Sequence, residues 1–380
     1  MLKEANILYF SQPMSTLHQL ALTFTKNIGD HLAKVLVSYC GSAEAVFTTS
    51  AKKLMQIPGI NIKTIEQLNF DEALQRAEKE LRFVEKNNIQ VIFYTDAAYP
   101  KRLKNCADSP ALLYYKGNAD LNHARIISIV GTRTPTEYGR QLCHNLVEDL
   151  EPYNVLIVSG LAYGIDVAAH KECLNRNIPT VGVFGHGLDR MYPAQNRSVA
   201  DKMLENGGLL TDFSSGTLPA REHFPRRNRI VAGISDATVV IEANIKSGTL
   251  ITAEIANSYN RDVFAFPGRI NDEFSEGCNF LIRNNKAALL TSGADLAYIL
   301  GWEKASSDKP AKAQLALPID LPTGERIIFE AIQQNAGVLG IDDLAAQTNL
   351  PLSQLAMNLL NLEMQGYVRS LPGKTYALNY

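Results

Sequence analysis

Three stretches of this 380-residue chain place glycine, hydroxyl and cationic residues where a strand gives way to a helix. Gly131-Thr132-Arg133 follows the apolar run 126–130, Ser159-Gly160 with Tyr163-Gly164 follows 155–158, and Lys246-Ser247-Gly248-Thr249 follows 238–242. Glycine lets backbone approach an anion closely, and the first turn of the next helix offers unpaired amides, so the chemistry expected is phosphate binding. A dinucleotide fingerprint is not expected. GxGxxG would need glycine where Arg133 stands, and the following strand ends in Ser159-Gly160 without an acid to take a ribose.

The densest positive stretch is 219–229, PAREHFPRRNR, in which Arg221, Arg226, Arg227 and Arg229 face one acid, Glu222, with Phe224 and Asn228 among them. Arginines interleaved with an aromatic ring combine an electrostatic groove for a backbone with a platform for bases, a pairing that suits single strands. The plainer reading of the same residues is a solvated basic helix end. Net charge cannot decide between them, because 37 Lys and Arg against 39 Asp and Glu leave a formal charge of −2.

Other chemistries find little support. His170 has no acid or thiol partner at a telling spacing and reads as a packing residue. Gly373-Lys374-Thr375 resembles the end of a P-loop, yet the glycine due five positions before Gly373 is Val368. No GxSxG, HExxH or zinc spacing occurs, so no catalytic residue, metal or cofactor is expected. The five cysteines are an odd number with the closest pair 30 apart, which favours a reducing compartment over a disulfide framework. With neither a signal-like start nor an apolar run of about 18 residues, a cytoplasmic protein away from membranes is expected.

The elements that must position these residues follow from periodicity. Residues 1–75 read as a small helical module, SAM/helix-hairpin-helix-like, with apolar residues three and four apart and glycine turns at Gly29 and Gly59. From 76 to 302, β-branched runs at 91–93, 126–130, 155–158, 180–184, 209–210, 238–241, 263–266 and 288–290 alternate with helical segments. That predicts an extended Rossmann-like α/β domain with a mostly parallel sheet, buried on both faces. Residues 303–322, rich in Ala, Lys, Pro and Ser, read as a linker. Residues 323–380 predict a winged helix: three helices, the last over 353–365, and two short strands. That domain carries five acids against Arg326, Arg369 and Lys374, and its third helix has no cation, so it is expected to meet protein rather than a phosphate lattice.

Taken in order, Gly131-x-Arg133 with Tyr138-Gly139, then SGLAYGIDVAAH, GHGLDRMYP, HFPRRNRIVAG, IEANIKSGTLITAE, FAFPGRI and EGCNFLI closely resemble the DNA-processing protein A family, also called DprA or Smf. The resemblance is strong over about 120–300. It implies a non-enzymatic protein that binds single-stranded DNA, protects incoming strands in natural transformation and loads the RecA recombinase onto them. Carried over by motif, the binding pocket would comprise Gly131, Arg133, Phe224, Arg226, Asn228 and Arg229, with Lys246 and Ser247 from the next turn. Thr132, Ser159, Gly160 and Arg227 join them as neighbours in the same turns and run. The resemblance also implies a homodimer, placed near Phe280, Leu281 and Ile282. The competing reading is a nucleotide-processing enzyme. Ser247-Gly248-Thr249 with Glu254 loosely resembles the turn of Rossmann-like phosphoribohydrolases, although a lysine and a serine replace the paired glycines.

Overall fold

The computed structural model describes residues 13–304 and 321–378, apart from 336–337, 349 and 372–374. The chain forms two units, Met1–Ala305 and Ser306–Tyr380. Most of the expected linker, residues 305–320, lies outside the described residues, as do Asn349 of the expected turn and Gly373 and Lys374 of the P-loop-like run.

The first unit opens with six helices: α1 (Pro13–Phe24), α2 (Asp30–Cys40), α3 (Ala43–Thr48), α4 (Ala51–Leu54), α5 (Ile62–Gln67) and α6 (Phe70–Lys86). Several are too short to persist alone and depend on caps and packing. Ser42 accepts from the Ala45 amide and Asn61 from the Thr64 amide. At α6 the capping is reciprocal: Asn69 Oδ1 accepts from the Glu72 amide, and its side-chain NH2 donates to the Glu72 carboxylate. The buried stripe of α6, Ala73, Ala77, Glu80 and Val84, is spaced as one helix face requires. This helix runs straight through the boundary expected at residue 75. The helical module also shares a core with the sheet, in which Leu20, Leu36 and Ala77 meet Phe93, Leu112 and Tyr114. The helices over 13–75 are thus part of a larger folded unit, because they bury apolar residues against the sheet as well as against one another.

That sheet has nine strands: β1 (Gln90–Phe93), β2 (Leu112–Gly117), β3 (Ile126–Val130), β4 (Leu156–Ser159), β5 (Thr180–Val183), β6 (Gly207–Thr211), β7 (Ala237–Val240), β8 (Asp262–Ala265) and β9 (Ala288–Leu289), in the order β1-β2-β6-β5-β4-β3-β7-β8-β9. From β6 across to β9 all pairings are parallel, while β1 and β2 extend the β6 edge antiparallel. Strand β2 is the one not anticipated from the sequence. Between strands lie α7 (Lys101–Lys104), α8 (Glu137–Leu150), α9 (Ile165–Asn175), α10 (Arg197–Met203), α11 (His223–Ile234), α12 (Gly248–Ser258), α13 (Glu276–Arg283) and α14 (Gly293–Ile299). The central strand β3 is buried throughout, Ile126 and Val130 on one side and Ile127 and Ile129 on the other, which explains its unbroken apolar run. From β3 the chain steps through β4, β5 and β6 in one direction, then returns to β7, β8 and β9 on the other side. The switch point therefore falls beside β3, where an open α/β sheet leaves a crevice at its carboxyl edge.

The second unit comprises α15 (Thr323–Gln334), β10 (Val338–Gly340), α16 (Ile341–Thr348), α17 (Leu352–Met364), β11 (Val368–Leu371) and β12 (Thr375–Leu378). Its strands pair antiparallel in the order β10-β12-β11 around a core that includes Ile328, Ile332, Leu344, Leu355, Leu359 and Leu362. This is a winged helix, with a short third strand beyond the two expected. Met357, Leu360 and Met364 of α17 are exposed. Among the described residues no helix is long and apolar enough to cross a membrane.

The shared core makes a direct prediction. Leu36→Ala, in the helical module, should cost about 2–5 kcal/mol and lower the urea midpoint reported by Trp302, the sole tryptophan, which packs against the separate core cluster of Ile127, Ile129 and Ile157. An unchanged Trp302 transition would mean that the helices unfold as a separate domain.

Candidate nucleic-acid interface

The turns after β3 and β4 interlock. The Thr132 amide donates to the Glu242 carbonyl at 2.8 Å, and the Thr132 carbonyl accepts from the Ile165 amide at 3.1 Å. A Cβ on Gly131 would lie 2.5 Å from Ile165 Cγ1, and one on Gly164, whose φ is 80°, would lie 2.2 Å from the Thr132 oxygen. Both positions therefore require glycine: one for close approach, the other also for its left-handed backbone. The buried Glu242 carboxylate receives the Thr136 amide at 2.9 Å and the Thr136 hydroxyl, which in turn accepts from the Gly139 amide at the start of α8.

These constraints open a cleft of about 880 Å³ at the switch point, lined by the 131–133 turn, Gly160, Asp166, one face of α11 and the first turn of α12 from Lys246 to Thr252. All three anion turns anticipated from the sequence meet there. The N-terminus of α12, with Ser247 and the buried Thr249 and Thr252 beside it, presents amides and hydroxyls to the cavity.

Helix α11 divides the arginine run between two faces. Phe224, Arg227, Asn228 and Val231 follow the three-four-seven spacing of a single face and line the cleft. The Arg133 guanidinium stands 5.7 Å from the Phe224 ring, and the half-exposed Tyr192 ring lies 6.1 Å from Phe224. Arg227 is buried, and its Nη1 donates to the carbonyls of Gly160 (2.6 Å) and Val183. Burial lowers the Arg227 pKa, and the neighbouring Asp166 opposes that shift; burial raises the Asp166 pKa, and Arg227 opposes that one. Arg227 thus holds the β4 turn from beneath while its charge remains at the cleft floor.

Arg226 and Arg229 point the other way and do not line the cleft. Arg229 is 9% exposed, and its Nη2 lies 2.7 Å from Asp212 and 3.0 Å from Asp30. Arg226 is half exposed, 3.4 Å from Asp212 and 3.7 Å from Asp30. The part-buried Asp30 of the helical module and the buried side chain of Asp212 after β6 hold Arg229, which docks the module rather than awaiting an anion, while Arg226 reaches the same pair only at longer range. Ser159 is likewise committed, its buried hydroxyl donating to the Ile129 carbonyl at 2.6 Å.

Leu281 is fully buried within α13 and cannot present itself to a partner, whereas Phe280 and Ile282 are partly exposed beside it. Glu254 lies outside the cleft on the exposed side of α12, paired with Lys286 at 2.6 Å. Thr249 of the third turn lines the cleft as its turn suggested, whereas Tyr192, Asp166 and Thr252 also line it and were not singled out, although each stands in a quoted motif. No group of three or more potential metal ligands occurs among the described residues. His170 is fully buried, and Thr180 spends its hydroxyl hydrogen on the Ile157 carbonyl, so His170 Nδ1 donates to Thr180 and Nε2 remains bare.

With this geometry in hand, the relatives are informative. The sequence model for DNA recombination-mediator protein A matches residues 90–301, and that for the DprA winged helix domain matches 310–374. Protein Smf of Synechocystis is 32% identical over 94% of this chain and 97% of its own length. DNA processing protein DprA of Streptococcus pneumoniae is 42% identical over 53% of this chain and 71% of its own; an X-ray structure of DprA from that organism superposes with a TM-score of 0.65, 33% identity, and coverage of 76% of this chain and 99% of that one. DNA processing protein A of Helicobacter pylori, whose structure was described for its single-stranded DNA binding mode, superposes with a TM-score of 0.52 and 28% identity over 57% of this chain and 97% of that one.

Two outcomes test the assignment of roles. Arg229→Ala takes the closest cation from the buried Asp212 side chain and from Asp30 and should cost about 3–5 kcal/mol in urea unfolding; little loss would return Arg229 to the pool of free cations. For His170, burial lowers the imidazole pKa from 6.5 to about 3. The neutral ring's share of stability is therefore full above pH 6.5 and is lost as pH falls toward 3. Imidazole NMR should show His170 unprotonated through that window, and a titration near 6.5 would contradict its packing role.

Proposed function

Since the chain belongs to the DNA-processing protein A (DprA/Smf) family, we propose that the switch-point cleft holds single-stranded DNA, without turnover, so that the RecA recombinase can be loaded onto it. The observation that carries this reading is the arrangement of Arg133 over Phe224 at the mouth of a cleft floored by strand-end amides.

The amides of the 131–133 turn and the first turn of α12 receive phosphate oxygens, with Arg133 and the exposed Lys246 supplying countercharge. Phe224 and Tyr192 offer ring faces to bases. A base reaches such a ring only when it is free of its own stack, which favours the single strand over a duplex. Asn228, on the same helix face as Phe224, is placed to bond a base edge or a sugar. Against the hydrolase alternative, Glu254 is absent from the cleft lining and pairs with Lys286 at the surface. A homodimer through the exposed part of α13 and a cytoplasmic setting, where strand and recombinase meet, complete the reading.

Fluorescence anisotropy of a labelled oligonucleotide across a salt series tests it. Each phosphate neutralised on a single strand contributes about 0.7 to the slope of log K against log salt. Arg133→Ala should weaken binding and reduce that slope by about this amount. Phe224→Ala should lose about 1–3 kcal/mol with the slope unchanged, because stacking releases no counterions. Identical slopes in wild type and Arg133→Ala, or equal affinity for duplex and single strand, would contradict the proposal.

A further inference from the structure

On the opposite face of α11 lies a second cavity, of about 310 Å³, enclosed by α1, the start of α2, α6 and the loop that follows β6. Its volume is at the small end for ligand pockets, and its lining is mainly polar. Two arginines enter it from different elements, and each stands over an aromatic ring. Arg76 of α6 lies 4.3 Å from the Phe24 ring and donates to Ser214 Oγ at 3.3 Å. Arg226 of α11 lies 5.1 Å from the Phe213 ring. A guanidinium over one ring still has a face to offer a planar ligand and N–H groups to offer an anion.

A third feature gives the cavity a chemical preference. Asp212 lines it with a side chain only 1% exposed, and its two oxygens are unequal. Oδ2 takes Arg229 at 2.7 Å and Arg226 at 3.4 Å, whereas Oδ1 is buried with no hydrogen-bond partner. An unpartnered carboxylate oxygen in a buried site is a standing demand for an N–H donor. Arg226 is half exposed and its contact with Oδ2 is long, so a phosphate drawing it outward would uncover the carboxylate.

We propose that this second cavity binds a nucleobase bearing an exocyclic amino group, the amine donating to Asp212 Oδ1, the ring lying on the arginine faces and its phosphate meeting Arg76 and Arg226. Cytosine, adenine and guanine carry such an amine; thymine would set a carbonyl oxygen there instead. The base can arrive on a free nucleotide, or on a strand whose other nucleotides occupy the cleft, and the strand case alone rests on the function proposed above. Only the first turns of α11 and the loop 212–221 separate the two sites: Phe213, Ser214 and Arg226 line one, and Arg221, Phe224 and Arg227 the other.

Calorimetry of the full chain with dCMP and dTMP tests the cavity itself. Wild type should favour dCMP about tenfold, the scale of one hydrogen bond to a charged group. Arg76→Ala and Asp212→Asn should each abolish that margin, and Arg133→Ala should leave it intact. Asp212→Asn unbalances Arg229 and could fail to fold, but the exposed Arg76 side chain keeps the test decisive. Anisotropy with dT oligonucleotides extended by a dC or a dT tail then separates the two sources. A dC tail that raises affinity in wild type but not in Arg76→Ala identifies the strand, whereas a dCMP margin with no tail effect identifies a free nucleotide. Equal affinity for dCMP and dTMP in wild type, or a margin surviving in Arg76→Ala, overturns the proposal. Failure of the cleft reading would appear separately, as dT binding indifferent to Arg133→Ala.

Discussion

Two peptide hydrogen bonds at Thr132 govern the geometry of this molecule's working edge. Its amide is given to Glu242, just past β7, and its carbonyl receives the start of α9, so two segments remote in sequence are fixed to the turn after β3. The bond lengths leave no room for a side chain on Gly131 or Gly164. With the turns held this way, amides converge on the crevice before any ligand arrives. Such preorganisation limits the ordering entropy lost on binding, which otherwise consumes much of the affinity of an anion site. Arg227 extends the same logic from below, as its guanidinium takes the Gly160 carbonyl and sits where a Cβ on that glycine would fall.

Helix α11 allows one short arginine run to serve two purposes. Its cleft face presents Phe224 and Asn228, and its other face fastens the helical module through Arg229, Asp212 and Asp30. Burying such charges is costly, and a desolvated ion network often adds no net stability over apolar packing. What it does supply is orientation, since misplacing any one member leaves the others unpaired. The network therefore sets where the helices of the module stand relative to α11, and with them the walls of the smaller cavity.

The strand-end turns were legible because each is local: a β-branched run, a glycine, a hydroxyl and a helix start within about ten residues. The parallel sheet and the winged helix were legible for the same reason. Which arginines face the cleft was not, because consecutive helix residues differ in direction by about 100° and the sequence does not say which side is packed. The partner that claims Arg229 stands 199 residues earlier, at Asp30, beyond the reach of any spacing argument. The boundary at residue 75 misled for a related reason. A change of period marks where secondary structure changes, not where a core ends, and α6 carries the helical pattern onward into the core that it shares with β1 and β2.

The chain is nearly neutral overall, so its attraction for a polyanion must come from the local arrangement of charge. At the cleft, Arg133, Lys246 and Arg227 face one carboxylate, Asp166, and burial already disfavours the ionised form of that group. In the smaller cavity Arg76 and Arg226 oppose Asp30 and Asp212, but Arg229 stands behind both carboxylates and balances much of their charge. Each site thus stays electropositive at its mouth, where guanidinium groups stand over aromatic rings. An arginine stacked this way sheds little hydration when a base covers it, whereas a lysine must strip a compact, strongly hydrated charge. The same stacking makes both sites selective for ligands that are planar and anionic at once, and a nucleotide unit freed from its duplex is the common biological form of such a ligand.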